Sequence, residues 1–491
     1  MIRPSIDEAK AYLKDWTIVP ICKELFADIK TSVEILKNLI ATGKKCYMLE
    51  SVESAQNWGR YSFLGYDPKL SIQCNDNKII VKEGNKLSEV KDKEPIVVLR
   101  EILSQYKSPK IDYMPPFTGG LVGFFSYDFA KYIEKSLILE NKNAENFDDF
   151  NLMLFDKAIA IDHFKQKIFI IINVPVKNFE NNYVKAIEQI YEMETLLKSA
   201  PIKESAPSAL RADFSLLHSK EKFMDMVKTI QKHIYEGDIF QAVISNRQSA
   251  DFDGGLLQTY RVLRTTNPSP YMFYLNFGDT EIAGTSPETL VTLKNKELVN
   301  YALAGTCPRG KNSADDERLI AELLKDEKER SEHNMLVDLA RNDLGKISEF
   351  GSVQVAEYMK IVRFSHVCHI ASTIVGKMKD GYDQLDALGA VLPAGTLSGA
   401  PKKRACEIIN SLEGYKRGVY GGAIGYIDFS GNMDTCIAIR MAVVKDRKVF
   451  VQAGAGIVAD SRPEKEFNEC NQKAKAIIGA IKTACGDGDE R

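Results

Sequence analysis

Short apolar runs separated by brief polar connections constrain the fold more than any other feature of this sequence. Such runs lie at residues 239–245, 271–276, 298–303, 423–429, 435–444 and 448–453. Two more, at residues 157–161 and 167–172, flank a polar turn and predict a β-hairpin. Connections this short favour antiparallel pairing. Helical periodicities lie between the runs, as at residues 184–197 and 219–234, so the pattern predicts an α+β fold.

A stretch rich in Ser, Pro and Ala, at residues 199–209, divides the chain. It has no apolar period, which is typical of a linker. A chain of 491 residues is too long for one simple core. We therefore predict an N-terminal domain of residues 1–200, a linker of residues 201–212 and a second domain of residues 213–485.

The charge balance and the cysteines exclude several classes of protein. With 65 basic and 67 acidic residues the net charge is −2, so we expect neither nucleic acid nor an anionic membrane as a partner. The first residues are charged and lack a signal-peptide core. Nine cysteines without regular spacing indicate reduced thiols, and we expect a cytoplasmic protein.

Four glutamates occur as two pairs, each pair on a segment predicted to be helical. Glu329 and Glu332 lie on a helix expected at residues 315–344, and Glu466 and Glu469 lie on one expected to begin at Ser461 with a capping box. Residues three apart share a helix face. Facing carboxylates would repel one another unless a hard cation such as Mg²⁺ lay between them. The alternative is surface glutamates paired with lysines four residues away.

Glycine-rich segments, predicted as turns, could bind an anion through their backbone amides. They include residues 304–306, 393–396, 420–422 and 454–456. Arg440 lies on the predicted strand at residues 435–444 and could clamp a carboxylate. Together these features are consistent with a ligand the size of a dicarboxylate, and plain β-turns are the alternative. No phosphate-binding glycine motif of a nucleotide site is present.

One of the six histidines, His369, could serve as a general base. A histidine with only a structural role is the alternative.

Several long motifs extend this interpretation. They are GDIFQAVISNR at 237–247, NPSPYMFYL at 267–275, GTSPETLV at 284–291, AGTCPRG at 304–310, DEKERSEHNMLVDLARNDLG at 326–345, FSHVCHI at 364–370, LPAGTLSGAPK at 392–402 and QAGAGIVADS at 452–461. In these motifs the chain resembles component I of anthranilate synthase, within the chorismate-utilising enzyme superfamily. The resemblance covers nearly the full length. It implies a two-domain fold in which mostly antiparallel sheets pack as a sandwich with helices outside.

The resemblance also implies roles for individual residues. It implies a magnesium site with Glu332 and Glu469 as ligands and Glu329 and Glu466 as outer or alternative ligands. It implies that chorismate binds at seven residues: Gly305, Thr306, Tyr420, Arg440, Gly454, Ala455 and Gly456. The implied catalytic residues are His369 as a base, Glu288 as the general acid for departure of the ring hydroxyl, Gln241 and Thr306.

Two positions separate the activities of this superfamily. Related synthases that add water carry a lysine at the position of Gln241, and a glutamine cannot serve as that base. Many aminodeoxychorismate synthases carry a nucleophilic lysine at the position of Ala304. The resemblance therefore implies direct addition of ammonia, which yields anthranilate and pyruvate. An aminodeoxychorismate synthase component I and a non-catalytic tryptophan-sensing relative remain the alternatives.

The first part of the chain resembles the family's tryptophan feedback site. The segments LES at residues 49–51 and GRYSF at residues 59–63 carry this likeness. They imply that tryptophan is held by four residues: Ser51, Pro270, Tyr271 and Met272. The alternative is a pocket retained only for stability. Relatives often carry arginine at Cys307 and threonine at Cys470, so these are departures near the implied site.

The chain contains no cysteine in the setting typical of a glutaminase. The resemblance therefore implies a separate glutamine amidotransferase subunit as the source of ammonia. We expect a heterodimer or a heterotetramer.

Overall fold

A computed structural model describes residues 2–28, 30–51, 59–199, 208–363 and 367–486. Most of the predicted linker and His366 therefore lie outside the described residues. In the described part of the chain, no helix is long and apolar enough to cross a membrane.

The strands before the linker pair mainly with one another. They are β1 Ile2–Arg3, β2 Ile18–Phe26, β3 Cys46–Glu50, β4 Tyr61–Tyr66, β5 Leu70–Asn75, β6 Lys78–Glu83, β7 Lys86–Val90, β8 Gly120–Phe125, β9 Phe150–Phe155, β10 Lys157–Asp162 and β11 Lys167–Pro175. The predicted hairpin is confirmed as β10 and β11, in which Ile159 faces Ile170.

The remaining strands follow the linker. They are β12 Ala209–Leu210, β13 Ser215–Leu216, β14 Gln241–Asp253, β15 Tyr271–Asn276, β16 Thr280–Ser286, β17 Thr289–Lys294, β18 Glu297–Pro308, β19 Gln354–Arg363, β20 Val367–Lys377, β21 Gly399–Ala400, β22 Ala423–Asp428, β23 Met433–Ile437, β24 Met441–Lys445 and β25 Lys448–Ile457.

Eleven α-helices and three 3-10 helices accompany these strands in the described ranges. The α-helices are α1 Ile6–Ala9, α2 Ser32–Ala41, α3 Pro95–Ser104, α4 Phe179–Lys198, α5 Lys220–Tyr235, α6 Leu257–Thr266, α7 Ser313–Lys325, α8 Glu327–Gly345, α9 Gln384–Val391, α10 Lys402–Glu413 and α11 Pro463–Ala484. The 3-10 helices are Lys10–Tyr12, Tyr127–Tyr132 and Gly395–Leu397.

Two large sheets with antiparallel ladders form the molecule, which confirms the predicted α+β sandwich. A sheet of fourteen strands runs in the order β1-β2-β11-β10-β4-β3-β15-β16-β24-β25-β14-β12, with β13 and β21 also on β14. A sheet of eleven strands runs in the order β19-β20-β18-β17-β23-β22-β8-β9-β5-β6-β7. An apolar core that includes Phe117, Phe155 and Tyr426 lies between the sheets. A second core packs helices, among them α4 and α11, on the outer face of the larger sheet.

Both sheets contain strands from before and after the linker. In the larger sheet, β3 pairs with β15, so that Glu50 faces Met272. In the smaller sheet, β8 pairs with β22, so that Gly123 faces Gly425. The two parts of the chain therefore share their sheets and their core. The division into two domains stays a prediction.

Five local predictions were wrong. The helix expected at residues 315–344 is two helices, α7 and α8, because Asp326 ends the first and caps the second through the amides of Lys328 and Glu329. Ser461 does not cap α11, because its hydroxyl accepts from the amide of Val458 and α11 begins at Pro463.

The strand expected at residues 435–444 is interrupted between β23 and β24, where Arg440 has a φ of +54°. Two of the predicted turns are strands instead. Residues 304–306 lie within β18, where they form a bulge against β20, and residues 454–456 continue β25 in register with β14.

Candidate active site

One cavity of about 640 Å³ lies where β14 and β25 of the larger sheet approach β18 and β20 of the smaller sheet. Helices α8 and α11 close its side. Thirteen of the fourteen residues predicted for catalysis, chorismate and metal line it: Gln241, Glu288, Gly305, Thr306, Glu329, Glu332, His369, Tyr420, Arg440, Gly454, Gly456, Glu466 and Glu469. Ala455 is the exception, because its side chain faces the core on the other side of β25.

A β-bulge in β18 brings His369 and Thr306 together. Gly305 has a φ of +78° and interrupts the pairing of β18 with β20. As a result Thr306 lies opposite His369, and Thr306 Oγ1 is 2.9 Å from His369 Nδ1. Nδ1 is also 3.3 Å from the carbonyl oxygen of Gly305. A carbonyl can only accept, so Nδ1 carries the proton and Nε2 is the unprotonated ring nitrogen.

The environment of His369 favours the neutral ring. Burial lowers the pKa of His369, the hydrogen bond to Gly305 opposes this shift, and the nearby charge of Arg440 lowers the pKa further. A neutral imidazole with an unprotonated Nε2 is the form that a general base requires.

Glu288 follows β16 and has the properties of a general acid. Burial raises the pKa of Glu288 to about 7, and the effect is reduced by the hydrogen bond from Thr396 and the charge of Lys473. Thr396 Oγ1 donates to Glu288 Oε1 over 3.0 Å. A carboxyl group with a pKa near 7 is protonated often enough at neutral pH to donate a proton.

Arg440 is held in a backbone conformation that L-residues rarely adopt. Its φ of +54° lies in the left-handed region, which costs a non-glycine residue about 1–2 kcal/mol. Among the described residues, its guanidinium has no hydrogen-bond or ion-pair partner. A strained backbone that directs an unpaired cation into a cavity is typical of a ligand clamp.

Gly454 and Gly456 of β25 line the same cavity as Arg440 and present bare backbone to it. A Cβ at Gly454 would lie 3.0 Å from the hydroxyl of Tyr420, and one at Gly456 would lie 2.8 Å from Nε2 of Gln241. A Cβ at either position would crowd these neighbouring atoms, so glycine fits here and a larger residue would force them to move. Gln241 Oε1 and Gln452 Oε1 are buried without a hydrogen-bond partner in the described part of the chain.

The four glutamates approach the cavity from two helices. Burial raises the pKa of Glu332, and the negative charges of Glu329 and Glu469 raise it further. Burial also raises the pKa of Glu466. These carboxylates therefore repel one another, and carboxylate oxygens are ligands that Mg²⁺ accepts together with water and substrate.

The donor set fits Mg²⁺, but the carboxylates are not gathered around one point. Within the described ranges, no three of them bring oxygen atoms within 4.8 Å of one another. The group that meets this criterion, His233, Glu236 and Asp238, lies outside the cavity, and Asp238 there already pairs with Arg404.

Three lysines line the cavity, although sequence reasoning placed none of them at the site: Lys328, Lys465 and Lys473. Lys473 Nζ is 2.9 Å from Glu469 Oε1, so the surface-pair alternative for Glu469 is correct as a contact. The same ammonium group donates to the carbonyl of Gly454 over 3.1 Å. The spacing of Glu469 and Lys473 indicated the pair, but only the fold shows that it lines a cavity.

The two cysteine departures face away from the cavity. Cys307 is buried with Cys368, Ile320 and Leu323. Cys470 donates to the carbonyl of Ala453 and belongs to the core beneath α11. Neither thiol lines the cavity.

A second, smaller pocket joins the two parts of the chain. All four residues predicted to bind tryptophan line it: Ser51, Pro270, Tyr271 and Met272. The hydroxyl of Ser51 is buried without a partner among the described residues. The Tyr271 hydroxyl donates to Asp434 and lies 3.0 Å from Oγ1 of Thr289, the residue after Glu288.

Sequence reasoning missed Glu50, although it precedes Ser51. Glu50 is buried against the pocket and accepts from Tyr260 and Ser32. It also pairs with Arg264.

Comparisons with known proteins agree with this geometry. The family described as "chorismate binding enzyme" matches residues 44–479. The chain is 42% identical to anthranilate synthase component 1 of Acetivibrio thermocellus, over 99% of both chains. It is 41% identical to that of Aquifex aeolicus, over 98% of both.

Solved structures show the same similarity. Anthranilate synthase component I from Streptococcus pneumoniae superposes with a TM-score of 0.73 at 36% identity, covering 87% of this chain and 93% of that one. The menaquinone-specific isochorismate synthase of Escherichia coli shares the fold, with a TM-score of 0.71 at 18% identity over 97% and 98% of the chains.

Proposed function

Because the chain belongs to the chorismate-binding enzyme family, we propose that it is the large subunit of an anthranilate synthase and converts chorismate and ammonia into anthranilate, pyruvate and water. The observation that carries the proposal is the convergence of Glu288, His369 and Arg440 on one cavity. The near-complete coverage of relatives named anthranilate synthase component 1 supports it.

Arg440 provides the recognition of an anionic substrate. Chorismate carries two carboxylates, and an unpaired guanidinium can bind one of them through two hydrogen bonds. Gly454 and Gly456 line the cavity without side chains, so the substrate can approach the backbone of β25 closely. The hydroxyl of Tyr420 lies at the same wall.

Magnesium would be held by Glu332 and Glu469, with Glu329 and Glu466 as outer or alternative ligands. When bound, Mg²⁺ would anchor the ring carboxylate and withdraw electrons from the ring.

Glu288 and His369 supply the two proton transfers. Glu288 protonates the hydroxyl at ring carbon 4, which leaves as water while ammonia adds at carbon 2. His369 then removes the proton from carbon 2 through Nε2. The bond from ring carbon 3 to the enolpyruvyl oxygen then breaks, the enolate of pyruvate leaves and takes up a proton at its methylene carbon, and the ring becomes aromatic. Thr306 holds the ring of His369 through Nδ1.

The side chains of the cavity disfavour the related activities. Ala304 lines the cavity and has no nucleophile to attack carbon 2, as an aminodeoxychorismate synthase of the lysine type would require. Gln241 cannot deprotonate water. A non-catalytic sensor would not need Glu288, His369 and the four glutamates in one cavity.

A glutamine amidotransferase subunit supplies the ammonia in this proposal, in a heterodimer or heterotetramer. The numbering of the relatives as component 1 supports a partner component. All nine cysteines are free, which is consistent with the reducing conditions of the cytoplasm.

Tryptophan would bind in the pocket between β3 and β15 and inhibit the reaction. The unpartnered hydroxyl of Ser51 could accept from the amino group of the effector. We expect tryptophan to raise the thermal unfolding temperature of the wild type and to have no such effect on Ser51→Phe, which fills the pocket. Equal protection of both proteins would contradict the feedback proposal.

The purified chain, with chorismate, Mg²⁺ and ammonium salt at mildly alkaline pH, tests the proposal. Anthranilate fluorescence that disappears with EDTA is expected. Glu332→Gln should lose magnesium-dependent activity, whereas Glu322→Gln on the exposed face of α7 should keep it. Chorismate consumed without anthranilate would favour the aminodeoxychorismate reaction. Chorismate left untouched even with the amidotransferase added would overturn the proposal.

A further inference from the structure

Arg417 and Glu413 form a buried ion pair behind the cavity. Their side chains are 2% and 6% exposed, and they make two parallel hydrogen bonds, Nε to Oε2 over 2.9 Å and Nη2 to Oε1 over 2.7 Å. Neither residue lines the cavity. Removing such a pair from water costs free energy, because both charges lose their hydration. Whether the pair stabilises the fold therefore depends on the other hydrogen bonds that the two side chains make.

The other donors of Arg417 hold two segments that do line the cavity. Nη1 donates to the carbonyl of Leu397 over 2.7 Å, and Nη2 donates to the carbonyl of Val243 over 2.6 Å. Leu397 belongs to the 3-10 turn that contains Thr396, the residue that donates to Glu288. Val243 is on β14, two residues after Gln241.

Glu413 also holds β14 and, through it, a third segment, β25. Its Oε1 accepts from the amide and the hydroxyl of Ser245, over 2.7 and 2.9 Å. The same hydroxyl accepts from Nε2 of Gln452, whose side chain lines the cavity. The pair thus connects the 3-10 turn, β14 and β25.

We propose that the Arg417–Glu413 pair positions the cavity walls for catalysis, chiefly by fixing the 3-10 turn from which Thr396 orients Glu288. This inference rests on the proposed function. Neither residue touches substrate, so both are positioning residues. Only arginine provides a planar set of donors that reaches Glu413, Leu397 and Val243 together, and lysine cannot replace it.

The test compares Arg417→Lys with a matched control in the full-length protein. Lys416→Met also removes a buried cation, one that pairs with Asp149 on the other side of the backbone, away from the cavity. Circular dichroism would first show that both variants are folded. We expect Arg417→Lys to lower kcat by at least about tenfold with little change in KM for chorismate, because general acid alignment is lost and binding is kept. Glu413→Gln keeps the shape of the pair and should show a smaller loss.

A double-mutant cycle separates positioning from general destabilisation. Thr396→Val removes the hydrogen bond to Glu288. If Arg417 acts through Thr396, adding Arg417→Lys to Thr396→Val should cost much less in kcat than Arg417→Lys costs alone. Adding Lys416→Met to Thr396→Val should change kcat by the same factor as Lys416→Met changes it in the wild type.

Two results would overturn the inference while leaving the proposed function intact. One is a loss of kcat in Arg417→Lys that is no greater than the loss in Lys416→Met. The other is a double variant of Arg417→Lys and Thr396→Val whose loss of kcat equals the product of the two single losses. A wild-type protein that forms no anthranilate with its partner present would instead overturn the proposed function.

Discussion

At the scale of single residues, Arg440 joins recognition to backbone strain. Its left-handed φ costs stability, and its guanidinium is free to meet a carboxylate. Arg440→Ala and Arg440→Gly both remove the clamp, so both should raise KM for chorismate about tenfold or more. Glycine alone relieves the strain, so Arg440→Gly should be more stable to unfolding than Arg440→Ala by about 1 kcal/mol. Urea denaturation measures the difference, and equal stability would contradict a strained Arg440.

At the scale of elements, α8 carries two of the predicted magnesium ligands, Glu329 and Glu332, just after its N-cap. Asp326 accepts from the amides of Lys328 and Glu329, in the turn that leads to Glu332. Asp326→Ala should cost about 1 kcal/mol of stability and raise the Mg²⁺ concentration needed for half-maximal activity, because the first turn frays.

Two variants control for this effect. Asn312→Ala removes the equivalent cap of α7 and should cost similar stability without changing the magnesium requirement. Asp326→Asn keeps a capping oxygen and should behave like the wild type. A normal magnesium requirement in Asp326→Ala would show that the cap does not support the ligands.

The elements also show what a sequence can predict here. Local periodicity was sufficient to predict the hairpin of β10 and β11, and to predict α5 with its cap at Ser219. It failed at residues 454–456, because those glycines are extended only through pairing with β14, which lies some two hundred residues earlier.

The candidate site shows the same limit. The motifs indicated the residues that line the cavity, since each motif is a local string. The Arg417–Glu413 pair and the role of Thr396 depend on contacts between segments far apart in the chain, and no local pattern reports such contacts.

At the scale of the whole molecule, the shared sheets predict cooperative unfolding. Both tryptophans, Trp16 and Trp58, precede the linker, so intrinsic fluorescence reports only the first part of the chain, whereas far-ultraviolet circular dichroism reports both parts. Separating the parts would expose the edges of β3, β15, β8 and β22. We expect the two signals to change at the same urea concentration. A fluorescence transition at lower urea would instead support two independent domains.

The hydroxyl of Tyr271 lies in the proposed effector pocket and contacts Thr289, the neighbour of the general acid. If tryptophan and chorismate influence each other through this contact, one coupling free energy describes both effects. That free energy is the same whichever ligand binds first. If tryptophan weakens chorismate binding by some factor, chorismate must weaken tryptophan binding by the same factor. The concentration of tryptophan needed to inhibit the enzyme would then rise with the concentration of chorismate. Inhibition would therefore depend on the ratio of the two metabolites and not on tryptophan alone.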